Sequence, residues 1–370
     1  MSIINQIHGK MRSEEPVSLT WLAPVRMLVI TMIAFGYAST MSRGPQEAEY
    51  LRMFGYDPSW YGISILFMVS GFLALRSLQR HGSALKFLIS RCVRNVPIVA
   101  VFALLVVLLI FPLLGDMGAT GLGQHIQYLI KVISCISPGE MTPGLLDNAL
   151  YICTIQGGLW TFRWGAIAFI ATAVLWMIGG LRNRRQILLL SIILLLAYAA
   201  FVFYGIQTTD HHPAFSFIRV GLRLGWAYML GMCAYAYRHT LPRTLFIPLV
   251  IIAAASIQYY ALRWTPFIEI STELGLGYLV YLGITSRRGA PNSGQKPEQK
   301  PDQKNGRKSI PDLSLGLYVF NWPVTQIVLL LLPGLTPLSL FAVGYPITIL
   351  IAFLAWRLVS KKLNARLVLD

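Results

Sequence analysis

Apolar runs that are long enough to cross a membrane recur along the whole chain. A helix needs about 20 apolar residues to span the hydrocarbon core of a bilayer. Charged residues make up only 12% of the 370 residues, whereas they make up about 25% of a soluble domain. We therefore predict an all-α, polytopic integral membrane protein with about ten transmembrane helices. The predicted spans lie at about 20–40, 58–78, 96–115, 159–180, 186–206, 216–237, 244–262, 269–285, 314–333 and 338–358.

Basic residues occupy every second connection between these spans. Arg80, Lys86, Arg91 and Arg94 lie between the second and third spans, for example, whereas the connection 207–215 contains no cation. Because cytoplasmic loops of membrane proteins are enriched in Lys and Arg, this alternation predicts that both termini are cytoplasmic. The net charge of +16 is then a topological signal, and we expect no nucleic-acid partner.

The composition between the spans predicts the remaining segments. Segment 286–311 is rich in Pro, Gln, Gly and Lys, which is typical of a disordered linker. The outer loop 116–158 contains HIQYLIKVISCI, which is too short to span and predicts an interfacial or re-entrant helix, a candidate lid or acceptor-binding element. The predicted parts are a cytoplasmic segment 1–19, eight helices within 20–285, the basic cytoplasmic linker 286–311, two helices within 312–358 and a cytoplasmic tail 359–370.

Two groups of residues on the predicted outer side leave alternatives open. Cys135 and Cys153 share one loop and could form a disulfide, or remain as unpaired thiols. Asp210, His211 and His212 could bind a metal or supply a base, or belong to a solvated loop before a proline. With no third ligand fixed by spacing, we assign no metal site.

Two polar residues lie inside the first predicted span. Arg26 and Tyr37 are eleven residues apart, and eleven steps of a 3.6-residue helix return to nearly the same face, about 16 Å further along. Both side chains can therefore line one inward-facing stripe. Alternatively, Arg26 extends to the cytoplasmic headgroups and Tyr37 belongs to the outer aromatic belt.

Further charges occur in or near other spans. Arg163 opens the fourth span on the predicted outer side, next to tryptophans that are typical of the membrane interface. Glu269 and Glu273 are four residues apart and thus share one helical face. They could relay a proton, since charges within the membrane are often functional, or pair with Arg263 at the interface.

A polar interruption and a basic turn mark the second span and the start of the third. Ser70 and Gly71 interrupt a bulky apolar run, and small residues let a neighbouring helix approach closely. Arg76 closes the span. Arg91 and Arg94 follow in the sequence RCVRNVP and share one helical face because they are three residues apart.

This arrangement, an FxxSGF-type helix, a basic turn and an RxxRxxP segment, resembles the membrane-bound acyltransferase-3 family. The segment LWTFRWG at 159–165 is similar to the family's LWTLxxE, and SLGLYVFNWP at 314–323 is similar to its SYGLYLxHxP. Arg26 matches the arginine of the family's first helix. The resemblance extends from about Trp21 to Val324.

The resemblance implies a fold, an activity and partners. The family is expected to transfer an acyl group, commonly acetyl, from cytoplasmic acyl-CoA to a hydroxyl of a cell-surface or envelope glycan. The implied location is the bacterial inner membrane, with membrane lipid, acyl-CoA and a glycan or glycolipid acceptor as partners. No tightly bound cofactor is implied, since acyl-CoA is a substrate.

Four titratable positions of the family are neutral in this chain. Tyr37 and Asn321 stand at its two histidine positions and are the weak candidates for catalysis. Ser64 stands at the aspartate position and Gly165 at the glutamate position. A phenol with a pKa near 10 is a poor base at neutral pH.

The resemblance also assigns a donor site. Arg76, Arg91 and Arg94 would bind the phosphates of coenzyme A through charge-assisted hydrogen bonds, unless they only set the topology. The segment 70–72, with Ser70, Gly71 and Phe72, would form the wall of an acyl channel.

Two other functions stay open. A relative that has lost the transfer chemistry could act in the export, flipping or assembly of glycans. A secondary transporter would carry repeats with Gly- or Pro-broken helices in matching halves, and the sequence shows no convincing pair.

Overall fold

The structure is a computed structural model that describes residues 22–44, 50–115, 121–136, 144–145, 154–207, 213–265, 267–285 and 312–360. Among these residues, helices are the only regular elements apart from two isolated β-bridges. The predicted cytoplasmic segment 1–19, the predicted linker 286–311 and the predicted tail beyond residue 360 lie outside the described residues.

Eleven helices make up the described part of the chain, and three of them continue in a five-residue π-helical segment. The helices are α1 (Leu22–Arg43), α2 (Pro58–His81), α3 (Ala84–Leu105, continued by Val106–Ile110 and Phe111–Leu114), α4 (Leu122–Ile133), α5 (Trp160–Met177, preceded by the 3-10 turn Gly157–Leu159), α6 (Arg184–Gln207), α7 (Pro213–Ala236), α8 (Phe246–Ser256, continued by Ile257–Ala261), α9 (Ile268–Thr285), α10 (Ser314–Leu331) and α11 (Pro337–Ala355, continued by Trp356–Ser360).

Each predicted span coincides with one of these helices. Within the described residues, seven helical segments are long and apolar enough to cross a membrane, namely those of α1, α2, α3, α5, α6, α10 and α11. The other three spans fall on α7 and α9, which carry buried charges, and on the shorter apolar segment Phe246–Ala261. The chain is a multi-pass membrane protein.

Helix α3 begins well before the predicted third span. Gly82 ends α2 in the left-handed conformation, with a φ of +64°, and the Ser83 side chain accepts a hydrogen bond from the backbone N–H of Lys86 at the start of α3. This tight turn makes the segment from Ala84 helical. Arg91 and Arg94 therefore lie on a regular helix.

The backbones of α2 and α7 are in close contact. A Cβ atom at Gly71 would overlap the backbone carbonyl of Tyr228, and a Cβ atom at Gly231 would overlap the backbone carbonyl of Met68. Two reciprocal glycines thus bring the helices together, as small residues do in membrane helix pairs. Gly71 has a packing role in this structure.

We expect the Gly71→Ala variant to be destabilised by about 1–3 kcal/mol, because the added methyl forces two backbones apart. The midpoint of thermal unfolding in detergent would measure the loss. Gly123→Ala in α4 is the matched control, since a Cβ atom there meets no atom within 4 Å. Equal midpoints for the two variants would contradict the close contact.

Helix α4, from the predicted outer loop, lies along α3. Its N-terminal half packs on Phe111, whose ring centroid lies 4.7 Å from that of His125 and 6.2 Å from that of Tyr128. Beyond its C-terminal end, Cys135 lines the same cavity as Cys92 of α3. Because Phe111 and Cys92 are nineteen residues apart on α3, α4 runs antiparallel to it. That this segment is interfacial or re-entrant stays a prediction.

Candidate functional site

A cavity of about 480 Å³, which we call the groove, opens among α1, α2, α3, the C-terminal end of α4, α5, α7 and α10. Arg26, Arg91 and Arg94 line one part of it, which we call the arginine end. Thr161 and Tyr318 line another part. The remaining wall is mostly apolar, so the groove could hold an extended molecule with a charged head.

One carboxylate binds two arginines at the arginine end. Asp312 Oδ2 accepts hydrogen bonds from Arg26 Nη1 at 2.7 Å and from Arg94 Nη2 at 2.9 Å. Asp312 Oδ1 accepts the Ser314 hydroxyl at 2.5 Å. Burial alone would raise the pKa of Asp312, but Arg26, Ser314 and Arg94 together hold it below its ordinary value. Asp312 is therefore ionised at neutral pH.

Arg91 is fixed by aromatic rings and not by an acid. Its guanidinium carbon lies 5.2 Å from the ring centroid of Phe87 and 5.3 Å from that of Phe169. Its Nε atom is buried and has no hydrogen-bond partner among the described residues. A cation held by two rings keeps donors available for a ligand.

The charges at the arginine end do not cancel. Three guanidinium groups line this part of the groove, and two of them, those of Arg26 and Arg94, bind a single carboxylate, that of Asp312. No acidic side chain is among the described residues that line the groove itself. The arginine end therefore has two net positive charges, which suits a ligand with phosphate groups.

A pair of hydroxyl groups also lines the groove. Thr161 Oγ1 and the Tyr318 hydroxyl share a hydrogen bond of 2.7 Å, and Tyr318 also interacts with the Tyr37 phenol. Tyr37 lies eleven residues beyond Arg26 on α1, or about 16 Å of helix rise. We call Thr161 and Tyr318 the hydroxyl end of the groove.

Comparison with known proteins decides the family. The family model described as an acyltransferase domain matches residues 25–357, which is most of the chain. The chain belongs to the acyltransferase-3 family. It is also similar to a protein named O-acetyl transferase from Shigella phage Sf6, with 23% identity over 350 residues that cover 92% of this chain and 95% of that protein. No solved structure matches.

The two family histidine positions lie at or behind the hydroxyl end. The Tyr37 ring packs edge-on against Trp322, with centroids 5.0 Å apart. Asn321 precedes Trp322 and is only 3% exposed, and its Oδ1 atom has no hydrogen-bond partner in the described part of the chain. Neither residue lines the groove directly. Tyr37 and Asn321 could therefore take part in acyl transfer only through Tyr318, or after a small movement that brings their side chains into the groove.

The three residues of segment 70–72 lie in different surroundings. Of these three described residues, only Ser70 lines the groove. Phe72 lines a second, apolar cavity of about 300 Å³ and packs on Tyr235, with centroids 5.1 Å apart. Together with the packing role of Gly71, this means that the structure does not bring all three residues to one cavity wall. The reason is that successive residues of a helix point about 100° apart.

The other predicted arginines are placed away from the groove. Arg76 lies near Tyr235, Arg80 and Arg238 and is not among the described residues that line the groove. The structure therefore does not bring Arg76 together with Arg91 and Arg94, and its role at a donor site stays a prediction. Arg163 lies over the ring of Phe217, 5.9 Å from its centroid.

A buried cluster of charges joins α2, α7 and α9. Arg223 is 1% exposed and stacks 3.4 Å from the centroid of the Trp60 ring. Its Nη1 atom donates to Ser64 Oγ at 3.1 Å and lies 3.7 Å from Glu273 Oε1, and its Nε atom lies 3.8 Å from Glu269 Oε1. Trp60 Nε1 donates to Glu269 Oε1 at 2.6 Å, and the Ser64 hydroxyl donates to Glu273. We call these five residues the buried ion cluster.

The buried ion cluster corrects the expected partner of the two glutamates. Glu269 Oε2 lies 3.6 Å from Arg219 Nη2, and the described ion pairs of Glu269 and Glu273 are with Arg219 and Arg223, not with Arg263. Arg263 lies in the turn before α9, at a positive φ of 52°. The sequence signal for this pairing is the spacing: Arg219 and Arg223 are four residues apart, as are Glu269 and Glu273, so each pair shares one helical face.

The remaining predicted sites fall largely outside the described residues. Asp210, His211, His212 and Cys153 are among the residues that the structure does not describe, so the metal and disulfide alternatives stay predictions. Within the described ranges, no group of three or more His, Cys, Asp or Glu side chains could hold a metal ion.

Proposed function

We propose that the chain is a membrane O-acyltransferase that moves an acyl group, commonly acetyl, from cytoplasmic acyl-CoA to a hydroxyl of a cell-surface or envelope glycan. The observation that carries the proposal is the groove itself, which is lined both by cations and by a pair of hydrogen-bonded hydroxyl groups. The name of the phage relative, O-acetyl transferase, supports acetyl as the acyl group. The basic connections support a donor that enters from the cytoplasm.

The arginine end would bind the anionic part of the donor. Arg91 and Arg94 present guanidinium donors that match phosphate oxygens. The pantetheine arm and the acyl group would follow the apolar wall past Ser70. Such a wall keeps water away from the thioester, so that transfer to the acceptor is favoured over hydrolysis.

The hydroxyl end would receive the reacting thioester. In the transfer, the acceptor oxygen bonds to the carbonyl carbon, the carbon–sulfur bond breaks, and the acceptor proton passes to the leaving thiolate. Tyr318 or Thr161 could donate a hydrogen bond to the carbonyl oxygen as negative charge develops there. Tyr37 would orient Tyr318, which gives it a positioning role.

We expect the Tyr318→Phe variant to lower kcat about 100-fold and to leave the KM for acetyl-CoA nearly unchanged, because it removes a transition-state donor and keeps the arginines. Purified protein, labelled acetyl-CoA and a panel of glycan acceptors would measure this. Tyr345→Phe is the matched control, since Tyr345 shares an equivalent 2.6 Å hydrogen bond with Thr31 but does not line the groove. Equal effects in both variants would contradict the assigned role of Tyr318.

One observation favours a second function. No Asp, Glu or His is among the described residues that line the groove, and transfer chemistry usually needs a base. A catalytically degenerate relative that acts in glycan export, flipping or assembly would bind coenzyme A without turnover. Placing histidine at Tyr37 and Asn321 separates the two functions: a gain of acyl transfer from an inactive parent would favour lost chemistry.

A further inference from the structure

Asp312 binds two of the arginines that line the groove, although it is not itself among the described lining residues. Its Oδ2 atom accepts hydrogen bonds from two guanidinium groups at 2.7 and 2.9 Å, as an oxygen of a bound phosphate would. The Ser314 hydroxyl and backbone N–H both donate to its Oδ1 atom. Asp312 thus places a fixed internal anion on the arginines that the proposed donor would use.

The two arginines bound by Asp312 differ in accessibility. The Arg26 side chain is 14% exposed, whereas the Arg94 side chain is 44% exposed. An incoming phosphate can therefore reach Arg94 more easily than Arg26. A carboxylate and a phosphate bind a guanidinium group through the same donors, so they would compete for Arg94.

We propose that Asp312 sets the affinity of the groove for its anionic donor by competing with a donor phosphate for Arg94 while it remains bound to Arg26. This inference rests on the proposed function. Asp312 also reduces the charge of the arginine end from three positive charges to two. A neutral residue at this position would leave Arg94 without its internal anion and raise the attraction for phosphate.

The test compares three probes on the purified full-length protein in detergent at fixed ionic strength: coenzyme A, dephospho-coenzyme A and pantetheine. We expect Asp312→Asn to lower the Kd for coenzyme A about tenfold and to lower the Kd for dephospho-coenzyme A in the same direction. The Kd for uncharged pantetheine should not change. The gain should decrease as salt is added, because salt screens the exposed guanidinium.

Two controls keep the test specific. Asp57→Asn removes the acid from another ion pair, 3.1 Å from Arg52, and should leave the Kd for coenzyme A unchanged. Asp312→Ser is a second variant in case Asp312→Asn folds poorly, as judged by thermal unfolding. Both Asp312 variants should bind coenzyme A more tightly than the parent.

Three other outcomes of these binding measurements would count against the proposal. Weaker binding of coenzyme A by Asp312→Asn would overturn the proposal, because Asp312 would then hold the arginines in place for the donor. A parallel change for pantetheine would also overturn it and would indicate a changed groove shape. Failure of the parent protein to bind coenzyme A at all would count against the proposed function itself, and with it the role given to Asp312.

Discussion

Replacing Arg223 with methionine is expected to lower the free energy of unfolding by about 3–5 kcal/mol, because it leaves two buried carboxylates without their shared cation. Methionine keeps much of the side-chain length over Trp60 but cannot donate to Ser64. Glu273 would be affected most, since Arg219 is paired only with Glu269 among the described residues. Thermal unfolding in detergent would measure the loss as a lower midpoint.

Neutralising the whole buried ion cluster tests the cause of that loss. Adding Glu269→Gln and Glu273→Gln to Arg223→Met should recover much of the stability, because no buried charge then lacks a partner. Arg52→Met is the matched control, since it breaks the exposed ion pair with Asp57 and should cost less than about 1 kcal/mol. A triple variant that is less stable than the single variant would mean that packing, and not charge, explains the effect.

Replacing Arg91 with alanine is expected to raise the KM for acetyl-CoA, and the Kd for coenzyme A, about 10- to 100-fold. A hydrogen bond to a charged group contributes about 1.5–3 kcal/mol, and each 1.4 kcal/mol is a factor of ten. The Phe87 and Phe169 rings hold the Arg91 guanidinium at the groove. Alanine cannot make the contact with the donor that this guanidinium would make. Titration of the purified variant with coenzyme A gives the Kd directly.

Arg184→Ala is the matched control for Arg91→Ala. Arg184 also lies over an aromatic ring, 5.5 Å from the centroid of Tyr237, and also belongs to a basic connection, but it does not line the groove. Its replacement should leave the Kd unchanged. If the two variants bind coenzyme A equally, the arginine end is not the donor site.

The helices could be predicted from the sequence because an apolar run of fixed length is a local property. The start of α3 could not be predicted in this way. Lys86, Arg91 and Arg94 lower the mean hydropathy of a segment that is nevertheless helical. In the structure, Arg91 and Arg94 line a groove. A charged helix segment of this kind is recognised only when its neighbours are known.

The candidate site could be predicted only in part. Arg26, Arg91, Arg94 and Ser70 were identified from spacing and from the resemblance, and they line one cavity. The ion pairs of Arg26 and Arg94 with Asp312 could not be predicted, because Arg26 and Asp312 are 286 positions apart and no local pattern connects them. The same reason explains why the partner of Glu273 was missed, although its helical face was known.

The reciprocal glycines of α2 and α7 limit how the bundle can deform. Because Gly71 and Gly231 hold these two backbones in contact, α2 and α7 form a rigid pair, and residues of both helices line the groove and the apolar cavity that Phe72 lines. If a bulky ligand widens the groove, we therefore expect α3 to move rather than α2 or α7. Helix α3 contains Pro97 and a π-helical segment, which are the ordinary sites of bending in a helix.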